Sequence, residues 1–422
     1  MSDRILASYL IETPYPLERA VEVMAGEQSC GTFTRLASET DALREAHGAR
    51  VEHIEPLDSV DSPSLPIPAP PAGAGTPVYR RARVTLSWPL ANLGPSLPTL
   101  AATVAGNLFE LKEFSALKLL DLTLPAPFAD AYPGPQFGIA GTRELTGIPQ
   151  RPLIGTIIKP SVGLSPAATA EVVRELVAGG IDFIKDDELQ ANGPHNPLEA
   201  RVDAVMPVIR EHAEHTGRQV MYAFNITGEA DEMREHHDYV AAAGGSCVMI
   251  ALNAVGLAGV TQLRRHCRVA LHGHRAGWGL FSRSPHLGMS FVAYQKLWRL
   301  AGVDHIHVNG LRNKFSEEDA SVIASARACL TPMFDPPTPG CEVMPVFSSG
   351  QTADQAADTY AAIASTDLIF CAGGGIMAHP DGIGAGVKSL RQAWEAAVAG
   401  IDVDAYAREH HELARALETF RR

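Results

Sequence analysis

The sequence predicts an α/β protein in which a C-terminal (β/α)8 barrel follows a smaller N-terminal α+β domain. Three observations lead there. Beyond about residue 151, short apolar runs alternate with stretches long enough to hold a crossover helix, and eight such runs can be counted. Repeated strand–helix units imply parallel strands, and eight of them suit a closed barrel. Nearly every run ends in polar or reactive residues, which a barrel would gather at one mouth. The 422 residues leave room for one small domain beside a barrel of roughly 250.

In chain order, residues 5–11 read as a strand and 16–25 as an amphipathic helix. A Pro-, Gly- and Ala-rich loop over 62–76 is followed by a strand at Ala82–Trp88 and a second helix at Leu97–Phe109. A Pro-rich stretch near residue 130 ends this domain, so 1–130 is assigned to it and 131–422 to the barrel with its C-terminal helices. The barrel runs are Leu153–Lys159, Asp182–Glu188, Val220–Thr227, Cys247–Asn253, Arg268–His274, His305–Gly310, Met344–Gly350 and Asp367–Gly375. The first crossover helix carries its own signals: Ser165 to cap it, Pro166 in its first turn and Gly179-Gly180 to close it.

Composition narrows the function. With 46% hydrophobic and 20% charged residues the chain is ordinary globular protein. A net charge of -13 argues against nucleic acid and against an anionic membrane surface, because no basic stripe is present. A small phosphorylated substrate stays compatible, since a few local cations can hold one anion. The 6 cysteines are scattered without zinc spacing and read as free thiols in a reducing cytoplasm. The N-terminal segment lacks the apolar core of a secretory signal. The apolar stretch Tyr239–Val260 is interrupted by Gly244-Gly245, Ser246 and Asn253 and reads as a strand followed by a turn, not a membrane span. The histidines His212, His215, His236, His237, His410 and His411 fall on charged helical stretches and read as solvated. Arg312 reads as a surface arginine, and His305 as a support for the site rather than a substrate contact.

The stretch Lys185-Asp186-Asp187-Glu188 is the most informative. In a strand Lys185 and Asp187 share a face while Asp186 points away, and Glu188 lies at the tip. The cluster could be a salt-bridge network. Two carboxylates at a barrel mouth also suit a hard cation such as Mg²⁺, which a lysine can join only after losing its positive charge, for example as a carbamate.

Together with Gly155-Thr156-Ile157-Ile158-Lys159-Pro160, this stretch resembles the ribulose-bisphosphate carboxylase (RuBisCO) superfamily. The resemblance implies Mg²⁺ on carbamylated Lys185, Asp187 and Glu188, with Lys159 as an acid/base lysine. His272-Gly273-His274-Arg275 is similar to the family's His-x-His-Arg, implying His274 beside the reacting carbons and Arg275 on a phosphate. His307 would be a second phosphate or hydroxyl contact, and Lys314 the mobile-loop lysine. Ser348 with Gly350, and Gly373 with Gly374, match the loops that cradle the other phosphate. In the first domain, Glu27 and Thr32 and, further on, Asn107 resemble residues that complete a neighbouring subunit's site, implying at least a homodimer.

The resemblance has gaps. Ser161 stands where the carboxylases have a lysine, Phe33 where they have tryptophan, Ser349 where they have glycine, and the loop from Val308 to Phe315 differs from theirs. These departures imply a RuBisCO-like protein acting on a sugar phosphate through an enediolate, rather than a true carboxylase. Methionine-salvage enolases of the group generally lack the His-x-His-Arg pattern kept here. With His274 and Lys314 both present, the expected reaction is decarboxylation of 3-oxo-isoapionate 4-phosphate. An enolase or isomerase of a methylthio-pentulose phosphate is the alternative, and a non-catalytic relative a third.

Overall fold

The computed structural model describes residues 3–31, 36–68 and 77–421. The chain folds into two compact units. One contains residues up to Tyr132 with Gly277–Leu300 and Met333–Gly340; the other contains Pro133–Ala276, Ala301–Pro332 and the chain from Cys341 onward.

The first unit is built on a five-stranded sheet of β1 (Arg4–Thr13), β2 (Arg50–Val60), β3 (Tyr79–Pro89), β4 (Ala116–Thr123) and β10 (Leu287–Met289), in the order β10-β4-β1-β3-β2. β1 lies antiparallel between β3 and β4, and β10 joins β4 in parallel. Along β1, Ile5, Ala7, Tyr9 and Ile11 are buried, the period of two that a half-covered sheet demands. β2 escapes a sequence reading because most of its side chains are exposed and show no apolar alternation. The helix expected over Leu97–Phe109 stops at Ala105. At Gly106 the backbone turns so sharply that a Cβ would lie 2.2 Å from the Ala102 carbonyl oxygen, and a 3-10 turn follows.

The second unit holds the barrel. β5 (Leu153–Ile157), β6 (Phe183–Lys185), β7 (Met221–Asn225), β8 (Cys247–Ala251), β9 (Ala270–His274), β11 (His305–His307), β12 (Met344–Phe347) and β13 (Ile369–Cys371) close in that order, each parallel to its neighbours. Each lies within one of the eight expected runs. The first crossover helix, Pro166–Ala178, begins at Ser165, whose hydroxyl accepts from the Ala168 N–H, and ends at Gly179. Where a turn was expected after β8, the chain passes straight into the helix Leu252–His266, broken at Gly256 by a φ of 77°. Among the described residues no helix is long and apolar enough to cross a membrane.

Alternation along the strands decides what fills the barrel. Leu153, Phe183, Met221, Cys247, Ala270, Met344 and Ile369 form one apolar cluster near the strand starts. Two residues further along the same inward face, Ala223, Met249, Val346 and Cys371 still belong to that cluster, while Lys185 and His272 bring the first polar side chains into the barrel as the strands approach the mouth. Gly155 is required for this closeness, because a Cβ there would lie 2.7 Å from Cys371 Sγ.

Candidate active site

Lys185 ends β6 almost completely buried, at 1% exposure. Its amine donates to the Asp186 carbonyl at 2.7 Å and lies 3.8 Å from Glu188 Oε2. Burial lowers its pKa against the opposing pull of Glu188 and Asp187, favouring the neutral amine that CO₂ requires. Asp186 points the other way, as strand geometry predicts. It accepts from Tyr222 Oη at 2.6 Å, Arg201 Nε at 3.1 Å and the Asn225 N–H at 2.8 Å, a structural anchor behind the site.

Asp187 and Lys159 meet across β5 and β6, with Nζ 2.6 Å from Oδ2. Burial works against ionisation of Asp187, yet hydrogen bonds from Lys159 and the Leu189 N–H, with the Lys159 and Lys185 charges, hold it below the usual carboxylate range. Lys159 also donates to Ser161 Oγ at 2.9 Å. Asn225 steadies the turn that carries the carboxylates, its Nδ2 donating to the carbonyls of Asp187 and Glu188. Glu188 Oε2 stands 3.5 Å from His274 Nε2. Lys159, Lys185, Asp187, Glu188 and His274 are therefore linked contact by contact at one mouth.

A second chain of contacts runs beside it. His307 Nδ1 lies 3.0 Å from Ser348 Oγ, and its Nε2 lies 2.8 Å from His272 Nε2. Burial holds His272, His274 and His307 well below the ordinary histidine pKa, and His305 at about 3. These rings are neutral at pH 7 and act as hydrogen-bond partners rather than cations. His305 is a support, bonded to Thr142 Oγ1 at 2.7 Å. Arg275 is paired with Glu317 at 3.0 Å.

Gly373 neighbours Lys159: a Cβ there would sit 3.9 Å from Lys159 Cε, while Gly374 faces open space. Gly350, at φ 90°, packs against Lys314, whose N–H donates to the Ser349 carbonyl at 3.1 Å. The Lys314 ammonium itself is turned onto the Phe315 ring, 5.2 Å from its centroid. Glu27 and Asn107 belong to the first unit and are exposed there; Thr32 and Phe33 lie outside the described residues. A sequence reading gives no site role to Asn309 or Glu317, and quotes His272 within the His-x-His-Arg stretch without a role of its own, although it shares the inward face of β9 with His274.

Two carboxylates beside a buried lysine with no tight ion pair are a donor set that fits Mg²⁺ once that lysine carries a carbamate. A different cluster, His237, Asp238 and His266, has potential ligand atoms within 4.8 Å of one another. Its hydrogen bonds exclude it. The Arg268 N–H donates to His237 Nε2, so the ring proton lies on Nδ1 and goes to Asp238, and the Arg268 guanidinium reaches the same carboxylate. The sequence expectation that His236 and His237 are solvated is corrected here: both are buried, on the inner face of the helix Ala230–Ala242. Arg312 is half-exposed and bound to Asp354 and Asp358. A cavity of about 600 Å³ opens at the opposite end of the barrel, where Gln219, Val220 and Gly245 precede their strands, and no expected site residue lines it.

The ribulose bisphosphate carboxylase large chain catalytic domain family matches residues 138–420, and its N-terminal domain family matches residues 2–128. The chain is 57% identical over 421 residues to a 3-oxo-isoapionate-4-phosphate transcarboxylase/hydrolase of Xanthobacter autotrophicus, covering 100% of both proteins. It is 44% identical over 418 residues to a 3-oxo-isoapionate-4-phosphate decarboxylase of Rhizobium etli, covering 99% of this chain and 98% of the other. The crystal structure of a rubisco-like protein from Burkholderia fungorum superposes with a TM-score of 0.92 at 51% identity, over 99% of this chain and 100% of that one. Barrel, mouth residues and relatives lead to one conclusion: this chain belongs to the ribulose bisphosphate carboxylase large-chain family, among its RuBisCO-like members.

Proposed function

We propose that the chain is a Mg²⁺-dependent carboxy-lyase that breaks a carbon–carbon bond of 3-oxo-isoapionate 4-phosphate, releasing CO₂ through an enediolate. The observation that carries this reading is the convergence of Lys159, Lys185, Asp187, Glu188 and His274 at the barrel mouth. Mg²⁺, held by Asp187, Glu188 and carbamylated Lys185, would supply Lewis-acid stabilisation of the charge that develops on the substrate.

The chain's own groups do the rest. When the bond to the carboxyl group breaks, its electron pair stays on carbon and CO₂ departs. Lys159, paired with Asp187 at 2.6 Å, is placed to return a proton to that carbon. Neutral His274 can donate to or accept from the oxygens beside it without adding a charge. Ser348, His307 and the Gly373-Gly374 loop hold the phosphate end, turning remote binding energy into orientation. Glu27, Thr32 and Asn107 are assigned to a partner subunit's site, in a homodimer or larger homo-oligomer, a reading supported by the exposure of Glu27 and Asn107.

A second reading is favoured by the 57% identical relative, whose name gives a transcarboxylase/hydrolase. Both reactions can begin with the same bond cleavage. They differ in whether CO₂ escapes or is captured at the neighbouring carbon before water cleaves the product. The test uses substrate labelled with ¹³C in the carboxyl group, incubated with Mg²⁺ and bicarbonate beside a Lys185→Ala control and followed by carbon NMR. Label appearing as bicarbonate, and absent in the control, supports decarboxylation. Label retained in a new carboxylic acid selects the transcarboxylase. Unchanged substrate, or equal turnover by Lys185→Ala, overturns the proposal.

A further inference from the structure

Arg275 sits where the resemblance expects a phosphate contact, yet its guanidinium already holds an anion. Glu317 Oε2 accepts from Arg275 Nη2 at 3.0 Å and from Asn309 Nδ2 at 2.6 Å. Its other oxygen accepts from Ser321 Oγ at 2.9 Å. A guanidinium and an amide converging on one oxygen are the donors an anion subsite offers to phosphate or carboxylate. Both side chains are nearly buried, 7% exposed for Arg275 and 11% for Glu317, so this is no loose surface pair.

The backbone around it is committed to the same arrangement. Asn309 (φ 69°) and Ser349 (φ 72°) are two of the few non-glycine residues in left-handed conformation. They are joined to each other, Ser349 Oγ donating to Asn309 Oδ1 at 2.7 Å. Strained positions of this kind persist where surrounding contacts over-determine them, and they concentrate at functional sites. Ser349 aims Asn309, Asn309 aims Glu317, and Glu317 neutralises Arg275.

We infer that Glu317 is a specificity-determining residue: its carboxylate fills the anion subsite at Arg275, so that the enzyme accepts sugar monophosphates and rejects bisphosphates. The inference rests on the sugar-phosphate reading above, whose substrate carries a single phosphate, and names the residue that would exclude a second. A second phosphate arriving at Arg275 would meet the Glu317 carboxylate, and like charges at such a site are strongly unfavourable. A single phosphate at the Gly373-Gly374 loop is untouched by that repulsion.

The test measures dissociation constants of pentulose 1-phosphate and pentulose 1,5-bisphosphate by calorimetry, on full-length protein with Mg²⁺ and bicarbonate. Wild type is expected to bind the bisphosphate no more tightly than the monophosphate. In Glu317→Gln the ratio should shift at least tenfold toward the bisphosphate, and the shift should vanish in Glu317→Gln with Arg275→Ala. Glu317→Ser, which removes the carboxylate with less bulk, replaces the glutamine variant should that one fail to fold. An unchanged ratio with monophosphate still bound overturns the role of Glu317 alone, as does wild type already binding the bisphosphate tenfold better. Failure of wild type to bind the monophosphate overturns the sugar-phosphate reading, and this inference with it.

Discussion

At the N-terminal end of the barrel, Asp304 accepts from the backbone N–H groups of Phe137, Gly138 and Leu271 at 2.6, 2.9 and 2.8 Å and pairs with Arg264 at 3.1 Å. Asp182, at the equivalent place before β6, accepts from the Ile154 N–H and pairs with Arg151 and Arg218. At the mouth Asp187 is held by Lys159 at 2.6 Å, but the side-chain contacts of Glu188 are looser, 3.8 Å to Lys185 and 3.5 Å to His274, with Glu188 37% exposed. Both ends bury charge within the same strands. A saturated carboxylate is a structural pin, because removing any partner leaves a buried charge uncompensated. An unsaturated one retains lone pairs for a ligand, at some expense in stability.

The largest expected effect separates the two ends by activity. Glu188→Gln should lower turnover of the substrate by at least about 10³-fold, roughly 4 kcal/mol in barrier. Its urea unfolding free energy should stay within about 1 kcal/mol of wild type, since no tight bond is lost. Unfolding of Glu188→Gln at much lower urea would erase the distinction.

Next comes the mirror experiment. Asp304→Ala should cost roughly 3–5 kcal/mol of stability, because Arg264 is left buried without its partner. The folded fraction, assayed well below its melting temperature, should keep most of its turnover. A stable Asp304→Ala protein that has lost activity would reverse the assignment of the two ends.

The smallest effect is a slope. His305 is held at about 3, below an unfolded value near 6.5. Between those values the unfolded chain takes up a proton that the folded protein refuses, so stability falls as pH drops from about 6.5 toward 3. His305→Gln should flatten that decline by about 1.4 kcal/mol per pH unit, measured by urea unfolding between pH 6 and 4. An unchanged slope would mean that the buried ring is not what resists the proton.

Much of this was legible along the chain because strand alternation is local. Lys185, Asp187 and His274 announce their direction by spacing from Phe183 and Ala270, and Ser165 with Pro166 marks a helix start that four consecutive residues decide. The failures are equally physical. β2 carries no apolar pattern because most of its side chains are exposed. His237 was misread because burial of a helix face depends on what packs against it, and here that includes the Arg268 backbone. Glu317 was missed because nothing in the string Phe315-Ser316-Glu317-Glu318 says which acid turns toward Arg275.

The sequence by itself determined the barrel, the order of its strands and the identity of the groups at its mouth, since period, caps and residue chemistry act over a few neighbours. Only the tertiary structure decided which of those groups are saturated and which are left for a ligand. That distinction depends on distances between residues up to 167 positions apart, as between Phe137 and Asp304, which closure of the barrel alone brings within hydrogen-bonding reach.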